Sequence, residues 1–349
     1  MRQPIDTVRR DGEFVVLEDE VSGTYEVARW SADTAAWICE DGAPSRIMPT
    51  HWHPLVQEQG RGGESGPMSS RGQAMQKMAG FVWFAYLAMR SVLLRAGFNF
   101  NVGRVTPSAE IASLLRTLAP IRVQHTLMRV GGAHDGGYLL PDDLTGIEYC
   151  FSPGVDVTAS FEEALLERGI TSYLADYSID NPPASLSKFV FDKVFLDAKD
   201  QGHFITLETW IQKYISDQYE NDLLLQMDIE GSEYAVLEQT PNYILSRFRI
   251  MVIEFHDLFN LFDPIKFRYY ERVFTKLTAQ FYVVHIHPNN FAPPMRKDGV
   301  VIPDVVEITF LRRDRPVVAE ADIKFPHPLD RSCKPHRAEV VLPECWYGG

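Results

Sequence analysis

The chain has 349 residues, 45% of them hydrophobic and 23% charged, proportions ordinary for a globular protein with room for one large domain and a smaller one. Its formal net charge of −13 repels phosphate backbones, and no basic run exceeds a pair such as Arg312-Arg313, which argues against nucleic acid as a partner. Four scattered cysteines (Cys39, Cys150, Cys333, Cys345) show neither metal-type spacing nor a disulfide framework, and they point to a reducing cytoplasm.

The N-terminal sequence MRQPIDTVRRDGEF lacks the apolar core of a secretory signal. Residues 1–58 read as a small β-rich unit, in which FVVLE, TYEVARW and AAWICEDG are short runs separated by turn residues. Its end, PTHWHP, sets His51 and His53 on one face of a strand, a spacing that suits a metal but brings no third ligand. Residues 59–104 hold a Gly/Ser-rich linker and then the apolar stretch Met78–Leu94, interrupted by Arg90. Spanning a bilayer takes roughly 20 apolar residues, so this stretch reads as a packed helix, with membrane-surface association as the alternative.

From residue 105 to 349 strand and helix patterns alternate. IEYCFSP, TSYLADYS, DLLLQMDIE and RIMVIEFHD read as strands, and FYVVHIHPNN and VVEITFLRR as two more. FEEALLERG, TLETWIQKYI, YAVLEQTPNYIL and FRYYERVFTKLTAQ read as the helices between them. Apolar runs such as LLLQM fit parallel strands covered on both faces, so the expected fold class is α/β, a doubly wound sheet that binds ligands at the carboxyl ends of its strands.

Several candidate site residues fall at those ends. Gly154, in the turn FSPGVD, removes a side chain that would block a ligand, though a single glycine is no dinucleotide fingerprint. Asp176 lies some twenty residues on, where an acid can accept hydrogen bonds from a ribose diol. Asp228, Glu230 and Glu233 follow one apolar strand, and Glu254, His256 and Asp257 come at the end of the next. Asp228, Glu254 and His256 could bind a divalent ion, orient a hydroxyl or supply a base; Glu233 and Ser232 read as support for the next helix. His285, His287, Asn289 and Asn290 offer imidazoles and amides suited to a polyol substrate. Upstream, His134-Asp135-Gly136-Gly137 is a turn signal between apolar runs.

The stretches HDGGYLLPDDL, FSPGVDVTASFE, LADYSID, ITLETWI, QMDIEGSEYAVL, RIMVIEFHDL and VVHIHPNNF together resemble the FkbM-type family of S-adenosylmethionine-dependent methyltransferases. The resemblance implies a Rossmann-like methyltransferase domain that binds the donor through Gly136, Gly137, Ser152, Gly154, Asp156, Asp176 and Asp228. It implies O-methylation of a sugar, glycoconjugate or related small acceptor, with Asp228, Glu254 and His256 as catalytic residues or as ligands of Mg2+ or another divalent metal. An NAD-type oxidoreductase and a catalytically degenerate binding module are the rival readings. The first lacks the three-glycine turn, and the strand-end acids argue against the second.

Overall fold

The computed structural model describes residues 105–155, 159–179, 188–318 and 325–347 of the larger unit. Nearer the N-terminus it describes 3–8, 14–19, 24–32, 36–39 and 49–54, with positions 34, 44 and 45. Met78–Leu94 and Asp156 lie outside the described residues. The chain divides into two compact units, Met1–Gln76 and Lys77–Gly349.

In the first unit, β1 (Gln3–Pro4), β2 (Phe14–Asp19), β3 (Thr24–Ser31), β4 (Ala36–Cys39) and β5 (His51–Pro54) form an antiparallel sheet of order β1-β5-β2-β3-β4. Val15, Leu17 and Ala28 are its buried centre, packed by Trp37 and Trp52. His51 Nδ1 lies 3.0 Å from Thr50 Oγ1.

The larger unit begins with α1 (Ser108–Thr117), the hairpin β6 (Leu127–Gly131) and β7 (Gly137–Pro141), β8 (Tyr149–Pro153), α2 (Ser160–Leu166) and β9 (Thr171–Ala175). Next come β10 (Val190–Asp192), the short pair β11 (Phe195–Leu196) and β12 (Phe204–Ile205), α3 (Leu207–Tyr214) and β13 (Leu223–Met227). Then follow α4 (Glu233–Gln239), α5 (Asn242–Leu245), β14 (Phe248–Phe255), α6 (Pro264–Gln280) and β15 (Phe281–Pro288). The pair β16 (Met295–Lys297) and β17 (Val300–Ile302) precedes the last strand, β18 (Val306–Arg312).

Seven of these strands make one sheet of order β10-β9-β8-β13-β14-β18-β15. All pairs are parallel except those with β18, which runs antiparallel to both neighbours. Counted along the chain the order is 3-2-1-4-5-7-6, the doubly wound order with one reversed strand inserted near an edge. This is the doubly wound, Rossmann-like sheet that the sequence led us to expect.

Local chemistry explains the elements. Every residue of β13 and β14 is buried, as parallel strands covered on both faces require. Pro264 opens α6, and the Asp263 carboxylate accepts from the amides of Ile265 (2.8 Å) and Lys266 (3.2 Å). That helix buries Phe267, Tyr270, Val273, Phe274 and Leu277, a helical stripe. The stretch YAVLEQTPNYIL, expected as one helix, is two: Pro241 holds Thr240 extended and starts a new turn. Strand β10 follows the segment DNPPAS and shows no alternation, so the pattern missed it.

One sheet face packs Phe151, Leu225, Met227, Ile253 and Phe255 against Trp210, Tyr234 and Phe274. Truncating Phe255 to alanine there would cost about 3–5 kcal/mol. The other face packs Cys150, Leu224, Ile250, Val252 and Leu311 under Phe161 and Leu165 of α2 and Tyr138 and Leu140 of the hairpin. At the carboxyl end of this second face the apolar lining gives way to polar residues.

Candidate active site

β8 and β13 are neighbours, yet the chain leaves them in opposite directions across the sheet, and doubly wound folds bind ligands in the crevice that such a reversal opens. Backbone bonds stitch the strand ends together: Asp228 N donates to Pro153 O (3.2 Å) and Gly154 N donates to Ala175 O (2.9 Å). Gly154 has φ +84°, and a Cβ on it would lie 1.4 Å from the carbonyl oxygen of Asp228. The glycine is therefore required by the crossing of two strand ends, before any ligand is considered. Asp176, half-buried just past β9, accepts from Ser178 N (2.7 Å) and Ser178 Oγ (2.6 Å), a turn that holds the carboxylate at the strand end. Gly154, Asp176 and Asp228 thus occupy three adjacent strand ends.

Ser152 was expected to touch the cofactor, but it is fully buried beneath the crevice. Its hydroxyl engages the carboxyl of Glu162 and lies 2.7 Å from Gln226 Oε1. The correction follows from strand alternation: Ser152 and Gln226 point into the face that α2 covers. Gly136 and Gly137 lie at the hairpin tip, where Ser160 Oγ at the start of α2 donates to Gly136 O (3.1 Å). A Cβ on Gly137 would lie 2.1 Å from Gly132 O, so the tip closes only with glycine there.

The acids after β13 and β14 converge. Glu233 is fully buried and accepts from the amides of Ile229 and Gly231 (3.1 Å each), so its carboxylate closes the turn into α4. Ser232, expected as a helix cap, makes no capping bond with its side chain. His256 Nδ1 lies 3.0 Å from Glu233 Oε1, and its Nε2 faces Asp228 Oδ1 (3.6 Å), Glu230 Oε2 (3.6 Å) and Glu254 Oε1 (4.0 Å). Burial pulls the imidazolium down, but the hydrogen bond to Glu233 and the charges of Glu233, Asp228 and Glu254 outweigh it and hold it up to about 10. A ring already protonated at neutral pH takes no proton there, so His256 is a donor and not the base that the sequence allowed.

Burial, with Glu230, Glu233 and Asp135 adding to it and His256 opposing, pushes Asp228 up to about 7. Burial and the charges of Asp228 and Glu307 hold Glu254 well above the usual carboxylate range. Two buried oxygens in this group, Asp228 Oδ1 and Glu254 Oε2, have no hydrogen-bond partner. Buried polar atoms are seldom left so, and an unpartnered pair marks a place where a ligand group completes the bonding.

The remaining predicted residues lie differently. His285, His287, Asn289 and Asn290 are all buried. His285 Nε2 is 2.9 Å from Asp330 Oδ1, His287 Nδ1 is 3.3 Å from Glu307 Oε2, and Asn289 Nδ2 donates to Glu254 Oε1 (3.0 Å). Asn290 holds the segment after β18: its amide reaches Ser332 Oγ, Lys334 O and Arg337 O, and its carbonyl accepts from Lys334 N. The sequence pattern assigns no element to residues 325–347; the segment returns over this edge and engages His285 and Asn290, while His287 and Asn289 bond to Glu307 and Glu254, so all four side chains bond within the protein. Tyr138, Glu162, Gln226 and Glu307 were missed. A polar residue inside an apolar strand, as in LLLQM and VVEITF, was the signal that could have found two of them.

Residues 205–283, which run from the end of β12 into the start of β15, match the family model of the methyltransferase FkbM domain. No curated protein matches the chain. Among solved structures, the crystal structure of a fibrillarin/Nop5p complex is 14% identical over 48% of this chain and 74% of that one, with a TM-score of 0.30. A Thermoplasma acidophilum protein is 10% identical over 51% of this chain and 79% of its own, with a TM-score of 0.25. The chain is a methyltransferase carrying an FkbM domain over residues 205–283, a kind of domain that in general uses S-adenosylmethionine.

Proposed function

We propose that this methyltransferase moves the methyl group of S-adenosylmethionine to a hydroxyl of a small polyol: a sugar, a glycoconjugate or a related natural product. The observation that carries the reading is the unpartnered Asp228 Oδ1, buried at the strand end beside the Gly154 crossing. In the reaction the acceptor O–H bond breaks, its oxygen forms the new bond to carbon, and the electrons of the carbon–sulfur bond stay on sulfur. Asp228 is the residue placed to take the hydroxyl proton, and a group held at about 7 can do so at neutral pH. His256, as imidazolium, steadies the ionised Asp228 carboxylate before it takes the proton.

A divalent ion would fit the same residues. Asp228, Glu254 and, once a cation displaces its Nε2 proton, His256 each offer one ligand atom, all within 4.8 Å of one another, and the two carboxylate oxygens without a hydrogen bond are hard donors of the kind magnesium prefers. Glu233 on Nδ1 turns His256 Nε2 toward that space. Such an ion, when bound, lowers the pKa of a coordinated hydroxyl.

Asp228→Asn tests the reading, with methyl glycosides of the common hexoses as acceptors and a labelled donor. Donor affinity should stay within a few fold while turnover falls by roughly 10²–10⁴. Wild-type turnover in the variant would make the cluster structural. Adding a chelator tests the ion separately: activity lost and then restored by magnesium supports it, and indifference removes it. Among the described residues no helix is long and apolar enough to cross a membrane. Met78–Leu94 is proposed as a membrane-surface contact of a cytoplasmic protein; co-sedimentation with lipid vesicles that persists after deletion of residues 1 to 100 would end that proposal.

A further inference from the structure

The hairpin strand β7 lies on the sheet face that carries Gln226 and Glu254, anchored where Thr309 Oγ1 donates to Leu139 O (2.6 Å). Its Tyr138 is buried, and the ring packs edge-on against Phe161 with centroids 5.5 Å apart. The hydroxyl points along the polar row. Tyr138 Oη accepts from Gln226 Nε2 (3.2 Å), and its own hydrogen meets no acceptor among the described residues. Burial first, then the charges of Asp228, Glu254 and Glu307, hold this phenol well above its usual range, so it keeps its proton. Gln226 pairs in register with Val252, so Asp228 and Glu254, each two residues further on, lie side by side on the same face, next along the row from the Tyr138 hydroxyl. There Asp228 Oδ1 and Glu254 Oε2 have no hydrogen-bond donor.

A donor and an acceptor that face one space without bonding each other are completed by a group that is both, and an alcohol is such a group. We propose that Tyr138 is a further catalytic residue, whose hydroxyl donates to the acceptor oxygen while Asp228 Oδ1 takes that oxygen's hydrogen. The inference rests on the hydroxyl reading given above. A tetrahedral alcohol oxygen has four directions. The C–O bond uses one, the hydrogen directed at Asp228 a second, and the lone pair accepting from Tyr138 a third. The last lone pair is left to attack the methyl carbon in line with the departing sulfur. Tyr138 keeps its proton throughout, Asp228 gains one, and the donor leaves as a neutral thioether.

The buried row behind Tyr138 keeps that hydrogen available. The Ser152 hydroxyl has one hydrogen but faces two acceptors, a carboxyl oxygen of Glu162 and Gln226 Oε1. Both bonds are made only if Glu162 carries a proton and gives it to Ser152, and burial raises Glu162 in that direction. Gln226 then presents its NH2 to Tyr138. With Glu162 ionised, the Ser152 hydrogen would go to Glu162 and the Gln226 amide would turn round. Its carbonyl would then take the Tyr138 hydrogen.

Tyr138→Phe removes the hydroxyl and keeps the ring. With the labelled donor and the methyl glycosides, kcat should fall by about 10–100-fold, the scale of lost orientation, while donor Kd and Tm hold. Transfer at the wild-type rate overturns the proposal, and so does a loss of kcat matched by losses in donor affinity and Tm, which would mark a packing role. Absence of transfer by the wild type to every glycoside overturns the hydroxyl reading and this inference with it. An infrared difference spectrum of wild type minus Glu162→Gln at neutral pH should show a protonated carboxyl band. An ionised carboxylate band there would mean that the Tyr138 hydrogen is already bonded to Gln226, against the proposal.

Discussion

Two groups of polar side chains lie at the carboxyl edge of the same sheet, and in the sequence they look alike. One is Asp228, Glu254 and His256; the other is His285, His287, Asn290 and Glu307. Both are largely buried and both mix acids with imidazoles. They differ in what is left over. In the second group imidazole meets carboxylate, the Asn290 amide is fully engaged, and Cys333 Sγ donates to Glu307 Oε1 (3.4 Å). In the first, one oxygen on each acid accepts no hydrogen bond. Burying a polar group without a partner costs about 1–3 kcal/mol, and a fold tolerates that most readily where a ligand completes the bonding. The completed group holds the protein together, and the incomplete one is where transfer is proposed.

The largest effect that could break this contrast belongs to Asn290. Asn290→Ala strands buried groups of the 332–337 segment and should cost about 2–4 kcal/mol. A urea or thermal transition of the larger unit should report it, as a fall in Tm of roughly 5–12 °C. Donor Kd should stay within about threefold, because one hydrogen bond lost at the donor would already exceed that factor; an intact Tm with lost donor binding would reverse the assignment of the two groups.

The His287–Glu307 pair should show in the pH dependence. Burial opposes the imidazolium, but Glu307 outweighs it and holds His287 up to about 9. A histidine raised above about 6.5 in the folded state stabilises fully below that pH, and the contribution fades as pH climbs through 9. Unfolding free energy of the larger unit should therefore drop by about 2–3 kcal/mol between roughly pH 6.5 and 9.5, and His287→Gln should flatten the slope. An unchanged slope in the variant would place the titration elsewhere.

Asp176 sharpens the donor side of the crevice. Asp176→Ala should weaken S-adenosylmethionine binding by about 1.5–3 kcal/mol, the range for charge-assisted hydrogen bonds. Calorimetry on the folded variant decides it, and unchanged affinity removes the ribose assignment.

The smallest effect has the opposite sign. Asp228 rises from an ordinary 3.8 to about 7, so its ionised form is disfavoured in the fold. That penalty is absent below about pH 4 and complete above 7. The side chain is 27% exposed, which limits the penalty. Asp228→Asn should stabilise the larger unit by about 1–2 kcal/mol near pH 8, a gain in stability at the same position where turnover is expected to collapse. A loss of stability there would place Asp228 with the structural group.

The sheet was legible because LLLQM and RIMVIEF are continuous apolar runs between clear helical patterns, and their order left one class of fold. The strand-end acids were legible for the same reason: position after an apolar strand locates the edge. The division of labour among polar residues was not legible. It depends on the return of residues 325–347 over β15, and nothing local in PHPLDRSCKPHRAEV announces where that segment packs. The roles of Ser152 and Glu233 turned on which way a side chain points at a strand or helix end, which spacing alone leaves open. Tyr138 stood in plain view in HDGGYLL, but its value comes from Gln226 and Asp228, some ninety residues on, through the hairpin's place on the sheet.

The most direct measurement is a crystal structure of the protein with S-adenosylhomocysteine, the donor stripped of its methyl group. The account predicts the ribose diol on Asp176, the chain passing the Gly154 crossing, and the sulfur facing the space bounded by Asp228 Oδ1, Glu254 Oε2 and the Tyr138 hydroxyl. A product molecule seated against His285, His287 and Asn290, with the Asp228 oxygens still unpartnered and remote from sulfur, would contradict it.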